Sequence, residues 1–293
     1  MSTPIHIPVL LDEVLDWLMP QSGQVLVDGT LGGGGHASRL AERLQPGGLV
    51  VALDRDPQAV AAAEQNLASL PVKPICANFC DLPEVLAELR LEAIDGVVLD
   101  LGLSSDQLAD RERGFSFDSD GPLDLRFDPT QGEPAWRLLR TLREEPLANL
   151  IYQYGEERFS RRIARRIVER RRTASLQTSA QLADLVRSCV PRSRGHSIDS
   201  ATRTFQALRI AVNDELKSLE LALQRIPDCL KPGGRFVVIS FHSLEDRLVK
   251  HAFRQDARLQ NLTKKPLRPS DREAAANPRS RSARLRAAQR ICE

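Results

Sequence analysis

Short unbroken apolar runs ending in an acid alternate along this chain with stretches whose apolar residues recur at helical spacing. Such a pattern predicts buried parallel strands interleaved with helices. Val25-Leu26-Val27 runs into Asp28, Leu49-Val50-Val51-Ala52-Leu53 into Asp54, and Val97-Val98-Leu99 into Asp100, with a further short strand over 73–79. Helical spacing occupies 9–18, after Pro8 and before a stop at Pro20, and returns over 37–44, 57–67 and 82–89. The expected architecture is an α/β domain on a doubly wound sheet, whose carboxyl edge gathers the three acids into a binding crevice.

Regularity lapses after Asp100. Residues 101–126 are rich in glycine, serine, aspartate and arginine, and so long an irregular run inside a domain is either functional or disordered. Phe115 and Phe117 within it predict order. Helical patterning fills 134–199, and 200–226 reads as one long amphipathic helix. Lys231-Pro232-Gly233-Gly234 reads as a turn, and 235–241 as another buried strand that resumes the sheet. The organisation expected is therefore a first part of the sheet domain over 1–106, an inserted helical domain over 107–199, a second part over 200–255 and a basic C-terminal tail over 256–293.

With 293 residues, 42% of them hydrophobic, the chain can bury a substantial core, which excludes disorder throughout. Its five cysteines form neither a CxxC pair nor a spaced Cys/His set, which predicts a reduced compartment and no metal centre. No apolar run approaches the roughly 20 residues that cross a bilayer, and the N-terminus lacks a signal-peptide pattern, so the expectation is a cytoplasmic protein with no membrane partner. The net charge of +2 hides an uneven distribution. Residues 158–172 carry eight arginines against Glu169, opposite an apolar stripe of Ile163, Ala164, Ile167 and Val168. Arg192-Ser193-Arg194-Gly195-His196 is a second basic loop, and 247–293 holds thirteen Lys and Arg against four acids. An arginine face attracts phosphates and predicts an RNA partner; the alternative is a solvated helix paired with Glu144, Glu145, Glu156 and Glu157.

The chemistry centres on Asp28-Gly29-Thr30-Leu31-Gly32-Gly33-Gly34-Gly35-His36, in strand–turn–helix context. Glycines there allow positive φ and let a ligand lie on the main chain, before a helix start with unpaired N–H groups; the alternative is a flexible turn. Asp54 lies 19 residues beyond Gly35, where doubly wound folds place an acceptor for ribose hydroxyls. Capping the next helix is its other possible task, but Asp56 before Pro57 serves that equally well. Phe79, past a strand end, lines an adenine pocket or is a core residue. His6 and His242 face ligand or are ordinary surface and strand-end residues, and Ser243 with Asp246 is spaced as a helix-starting capping box. Thr30 replaces the first glycine of the dehydrogenase fingerprint and no hydride-accepting constellation is evident, while a non-catalytic RNA-binding assembly protein has no need of three acids at strand ends.

These residues carry a resemblance. His6-Ile7-Pro8-Val9-Leu10-Leu11, the glycine run from Asp28 to His36, Leu53-Asp54-Arg55-Asp56-Pro57, Leu99-Asp100-Leu101-Gly102-Leu103-Ser104-Ser105 and Arg113-Gly114-Phe115-Ser116-Phe117 are similar to blocks of one bacterial family. So are Gly155-Glu156-Glu157-Arg158-Phe159, Ala201-Thr202-Arg203-Thr204-Phe205-Gln206 and Ser240-Phe241-His242-Ser243-Leu244-Glu245-Asp246-Arg247. The family methylates the exocyclic N4 of a cytidine in small-subunit ribosomal RNA. The likeness covers nearly the whole chain and is weakest from about Arg254. It implies a class I S-adenosylmethionine-dependent methyltransferase, with a Rossmann-like doubly wound sheet and a helical insertion for substrate. The implied cofactor is S-adenosyl-L-methionine, with contacts at Gly34, Gly35, His36, Asp54, Phe79, Asp100 and Gln107. The implied partner is 16S rRNA of the small ribosomal subunit, at the decoding region, and whether the enzyme is a monomer or a homodimer stays open. Many amino-methyltransferases place an Asn/Asp/Ser-Pro-Pro-aromatic loop after the fourth strand. Here that place holds Asp100-Leu101-Gly102-Leu103-Ser104-Ser105, which leaves the catalytic proton acceptor unassigned among Ser104, Ser105 and nearby carbonyls. A duplex would hide N4, so the target is expected unpaired or flipped outward.

Overall fold

The computed structural model describes residues 8–117, 120–191 and 199–292. His6 and the basic loop from Arg192 to His196 lie outside them. Seven strands, β1 (Val25–Asp28), β2 (Leu49–Asp54), β3 (Val72–Cys76), β4 (Ile94–Asp100), β5 (Leu230–Ser240), β6 (Leu259–Asn261) and β7 (Arg284–Arg290), form one sheet in the order β3-β2-β1-β4-β5-β7-β6. The first five are mutually parallel, and β7 runs antiparallel to both β5 and β6. The chain moves outward from β1 to β3 and then jumps back to β4, so the β1–β4 junction is the switch point where a doubly wound sheet opens its crevice. This is the Rossmann-like fold of a class I methyltransferase, as the sequence predicted.

Alternation along the strands divides the core into two layers. Val27, Val51, Leu53, Val97, Leu99, Phe236 and Val238 face one side, and Leu26, Val50, Ala52, Val98, Val237 and Ile239 the other. The second side is covered by α1 (Leu11–Leu18), α2 (Gly35–Leu44) and α3 (Pro57–Asn66), through residues such as Val14, Leu40 and Ala63. The first is covered by α4 (Leu82–Glu88) and by two later helices that supply Ile226 and Phe253. Strands buried on both faces explain the unbroken apolar runs.

Two compact units emerge: Met1–Ser104 with Leu216–Glu293, which holds the sheet, and Ser105–Glu215. The second unit comprises α5 (Ser105–Ala109), α6 (Ala135–Thr141), α7 (Glu144–Gly155), α8 (Ser160–Arg170), α9 (Ser179–Cys189) and α10 (Thr202–Asn213). The insertion thus runs past the expected limit of 199, because α10 packs on α7. A Cβ on Gly155 would lie 2.4 Å from the Arg203 carbonyl oxygen, so the two helix backbones nearly touch. The long helix expected over 200–226 is broken at Asp214, which takes φ 50°, and resumes as α11 (Glu215–Cys229). The irregular run is ordered. Arg113 donates to the carbonyls of Arg126 and Phe127 at 3.0 and 2.7 Å, and Asn213 accepts from Phe127 N and donates to Leu125 O, each at 2.7 Å.

Two further expectations need correcting. Residues 231–234 loop out between paired parts of β5 rather than preceding it, since register passes from Ile94↔Leu230 to Gly96↔Arg235. The supposed tail of 256–293 completes the sheet: after α12 (Ser243–Gln255) come β6, α13 (Asp271–Ala276) and β7. Leu285 and Ala287 bury on one core layer and Ala288 on the other, so small side chains do what larger apolar ones do elsewhere. Arg286, 5% exposed, is neutralised by Asp246 at 2.7 Å.

Candidate active site at the carboxyl edge of the sheet

Beyond β1 the chain turns through its glycines with no room to spare. A Cβ on Gly29 would sit 2.3 Å from Leu99 Cδ2, while Gly32 and Gly34 take φ 48° and 77°, a region that strains any residue with a side chain. Gly34 N donates to Leu31 O at 2.7 Å and Leu31 N to Leu53 O at 2.8 Å, which ties the turn to the end of β2. Within α2 the first i→i−4 bond is Ser38 N to Gly34 O at 2.9 Å, so the N–H groups of Gly35, His36 and Ala37 point out of the helix start. The flexible-turn alternative is thereby removed.

The acids divide their labour. Asp56 caps α3 by accepting from Gln58 N at 3.0 Å, whereas Asp54 accepts from Gly32 N at 2.8 Å and Asp56 N at 2.9 Å, clamping the glycine turn while its carboxyl remains partly accessible. Asp28 is 1% exposed; one oxygen accepts from Thr30 N at 3.1 Å, and the other meets no hydrogen-bond partner among the described residues. Burial pushes its pKa up to about 6, against the pull of His36. Asp100 accepts from Gly102 N at 3.2 Å, and burial, with repulsion from Glu245, pushes its pKa up to about 7. His36 Nδ1 lies 3.8 Å from Asp100 Oδ2, and its Nε2 lies 3.0 Å from Val9 O. Burial lowers the pKa of this histidine, so a neutral ring donates Nε2–H to that carbonyl. Three carboxyls with one orphaned oxygen, in a place drained of water, make a site that gains by taking up a positively charged group.

Gly34, Gly35, His36, Asp54 and Asp100 therefore come together around the turn. Phe79 joins them: half-buried at the start of a 3-10 turn, it has its Cβ 3.1 Å from where a Cβ on Gly29 would be, and its ring packs against the core. Gln107 is buried on α5 and belongs to the helical unit. Ser104 lies beside the turn, its Cβ 3.3 Å from the position of a Gly32 Cβ, while Ser105 opens α5.

Two contributors escaped the sequence reading. Thr30 Oγ1 accepts from Asp100 N at 2.6 Å and so joins the glycine turn to β4; only its place between two singled-out positions hinted at this. Glu245, 2% exposed, accepts from Phe241 N at 2.8 Å and His242 N at 3.3 Å. The capping box is accordingly His242 with Glu245 and not Ser243 with Asp246, one residue earlier than expected. Histidine is an uncommon cap, which is why Ser-x-x-Asp misled. Asp246 is thereby released to bind Arg286 and Arg284.

In the helical unit, Ile163, Ala164 and Ile167 bury one side of α8, and Arg161, Arg162, Arg165, Arg166 and Arg170 are exposed on the other. Of the acids proposed as partners, Glu144 lies 3.4 Å from Arg165 and Glu169 lies 3.3 Å from Arg166; among the described residues Arg161, Arg162 and Arg170 have no ion pair. A row of guanidinium groups so lightly neutralised suits a polyanion. No described helix is long and apolar enough to cross a membrane.

The profile of the MraW methylase family matches residues 3–291. Ribosomal RNA small subunit methyltransferase H of Rhodopirellula baltica is 52% identical over 297 residues, 98% of this chain and 91% of that protein. The proteins of the same name from Geotalea uraniireducens and Thermomicrobium roseum are 48% and 49% identical, over 99% and 98% of this chain and 100% and 94% of their own lengths.

Proposed function

Because this chain belongs to the MraW methylase family, we propose that it transfers a methyl group from S-adenosyl-L-methionine to the exocyclic N4 of one cytidine in the decoding region of 16S rRNA, within the small ribosomal subunit, in the cytoplasm. The observation that carries the reading is the orphaned carboxylate oxygen of Asp28, set with Asp54 and Asp100 around a glycine turn that excludes side chains. When bound, the cofactor supplies an electrophilic methyl on a sulfonium cation. Asp54 accepts from the ribose hydroxyls, the outward N–H groups at the start of α2 with Gly34, Gly35 and His36 hold the polar end, and Phe79 walls the adenine. Asp28 and Asp100 supply the negative field that a cationic ligand needs. Gln107 is carried over from the family resemblance alone.

Attack by the cytosine amine is slow in water because its lone pair feeds the ring. An oxygen that accepts an N–H hydrogen bond localises that pair and lets the proton leave, and the enzyme's remaining task is to hold donor and acceptor about 3–3.5 Å apart. Ser104, beside Gly32, and Ser105 offer such an oxygen. Labelled methyl is expected to pass from the cofactor to small subunits and to be recovered as N4-methylcytidine. Recovery at another atom, or no transfer to subunits or naked RNA, overturns the reading in favour of a non-catalytic assembly protein. Ser104→Ala and Ser105→Ala, singly and together, are expected to slow single-turnover transfer at least tenfold; unchanged rates leave the role to a backbone carbonyl.

A further inference from the structure

We propose that a basic cavity within the helical unit is a second RNA subsite, which holds one nucleotide of the bound strand away from the methylated base. It rests on the reading that RNA is the substrate. The cavity encloses about 500 Å³, within the range of sites that take a small ligand, and is lined by Trp136 and Arg140 of α6, by Arg171 and Arg172 just past α8, and by Leu176 and Gln177. No carboxylate is among its lining residues.

Its walls are tied together by backbone bonds and one committed arginine. Arg171 donates to Leu139 O at 2.9 Å and Leu142 O at 2.6 Å, holding the end of α8 to the end of α6. Trp136 N donates to Leu123 O at 3.0 Å, and Leu123 N to Gln177 O at 2.7 Å. Arg140 and Arg172, by contrast, are exposed and have no ion pair among the described residues. Two such guanidinium groups fit one phosphate. Trp136 is half-buried with the Arg137 guanidinium 5.5 Å from its ring centroid, and Arg137 is itself held by Glu133 at 2.8 Å. An indole set beside arginines is a platform for a nucleobase, and the Gln177 amide offers both a donor and an acceptor to a base edge.

The arginines of α8 lead to this place. Arg171 keeps helical dihedrals, φ −63° and ψ −15°, so Arg161, Arg165 and Arg172 fall along one line of the helix, spanning about 16 Å. A strand bound along α8 is thereby delivered with one nucleotide over the cavity. The phosphate then sits between Arg140 and Arg172, and the base lies against Trp136.

The chain has two tryptophans, so Trp17→Phe leaves Trp136 as the sole indole reporter in the full-length protein. Adding a single-stranded RNA oligonucleotide is expected to quench its emission, with a midpoint that rises steeply with salt. Arg140→Glu with Arg172→Glu is expected to raise that midpoint at least tenfold and to lower the slope of log affinity against log salt by about 1.4, since each lost phosphate contact is worth roughly 0.7 on a single strand. Arg140→Lys with Arg172→Lys keeps the charge and restores most of the affinity. Calorimetric binding of S-adenosylhomocysteine stays unchanged in all of them, which shows that the variants fold. Quenching by cytidine monophosphate at millimolar concentration supports a true nucleotide pocket. The proposal is overturned if the oligonucleotide binds without quenching, if the double reversal leaves its affinity unchanged, or if inorganic phosphate or poly-glutamate quenches as well as RNA does. Methyl transfer that persists while Trp136 stays silent removes the subsite and leaves the proposed reaction standing.

Discussion

In 158–172 and again in 284–290 arginines are interspersed with small and branched apolar residues, yet the first stretch builds an exposed helix face and the second a strand inside the sheet. Composition does not separate them; period does. In α8 the buried residues are Ile163, Ala164 and Ile167, one side of a helix, whereas in β7 Leu285 and Ala287 share a face at a spacing of two. The consequence for charge is opposite. Arginines of α8 keep their hydration and stay available to a partner, while Arg286 has lost its water and depends on Asp246. A cationic stretch is therefore read as a binding surface only once its apolar residues have been assigned a period.

The sharpest break in that contrast is at Asp246. Asp246→Ala strips the partner from a buried guanidinium and is expected to cost about 3 kcal/mol of stability, seen in urea unfolding at pH 7; a loss below about 0.5 kcal/mol would place Arg286 with the exposed arginines. Charge reversal at Arg161, Arg162, Arg165 and Arg166 together tests the other side. RNA affinity is expected to fall about a hundredfold, with the salt slope reduced by roughly 3, while cofactor affinity stays within twofold; equal damage to both would erase the distinction. Asp28→Asn extends the contrast to buried negative charge. The pKa of Asp28 is raised to about 6, so the folded state holds its proton more tightly than the unfolded chain. That contribution to stability is full below about pH 4 and is lost as pH rises through 6. Relative to the parent, the variant is expected to gain ~2 kcal/mol between pH 4 and pH 7, and a pH-independent difference would contradict the burial.

Much of the fold was legible because parallel strands buried on both faces leave unbroken apolar runs, and because the glycine run meets the same requirement in sequence and in space. Asp28, Asp54 and Asp100 could be placed at one rim from strand ends alone. What escaped depended on partners distant in the chain. β7 reads as a tail until Arg286 is set against Asp246, and α10 reads as a return to the sheet until Gly155 is seen to admit its backbone. Thr30 and Glu245 escaped because their acceptor oxygens serve backbone N–H groups, which no side-chain motif announces.

β7 lies between β5 and β6 in the sheet but follows both in the chain. During synthesis, then, β5 waits with one row of backbone groups unsatisfied until residues 284–290 have left the ribosome, and its neighbour in sequence cannot fill the gap. A nascent or prematurely terminated chain presents a long apolar edge open to any passing strand. The last strand to be made is the one that closes this molecule against aggregation.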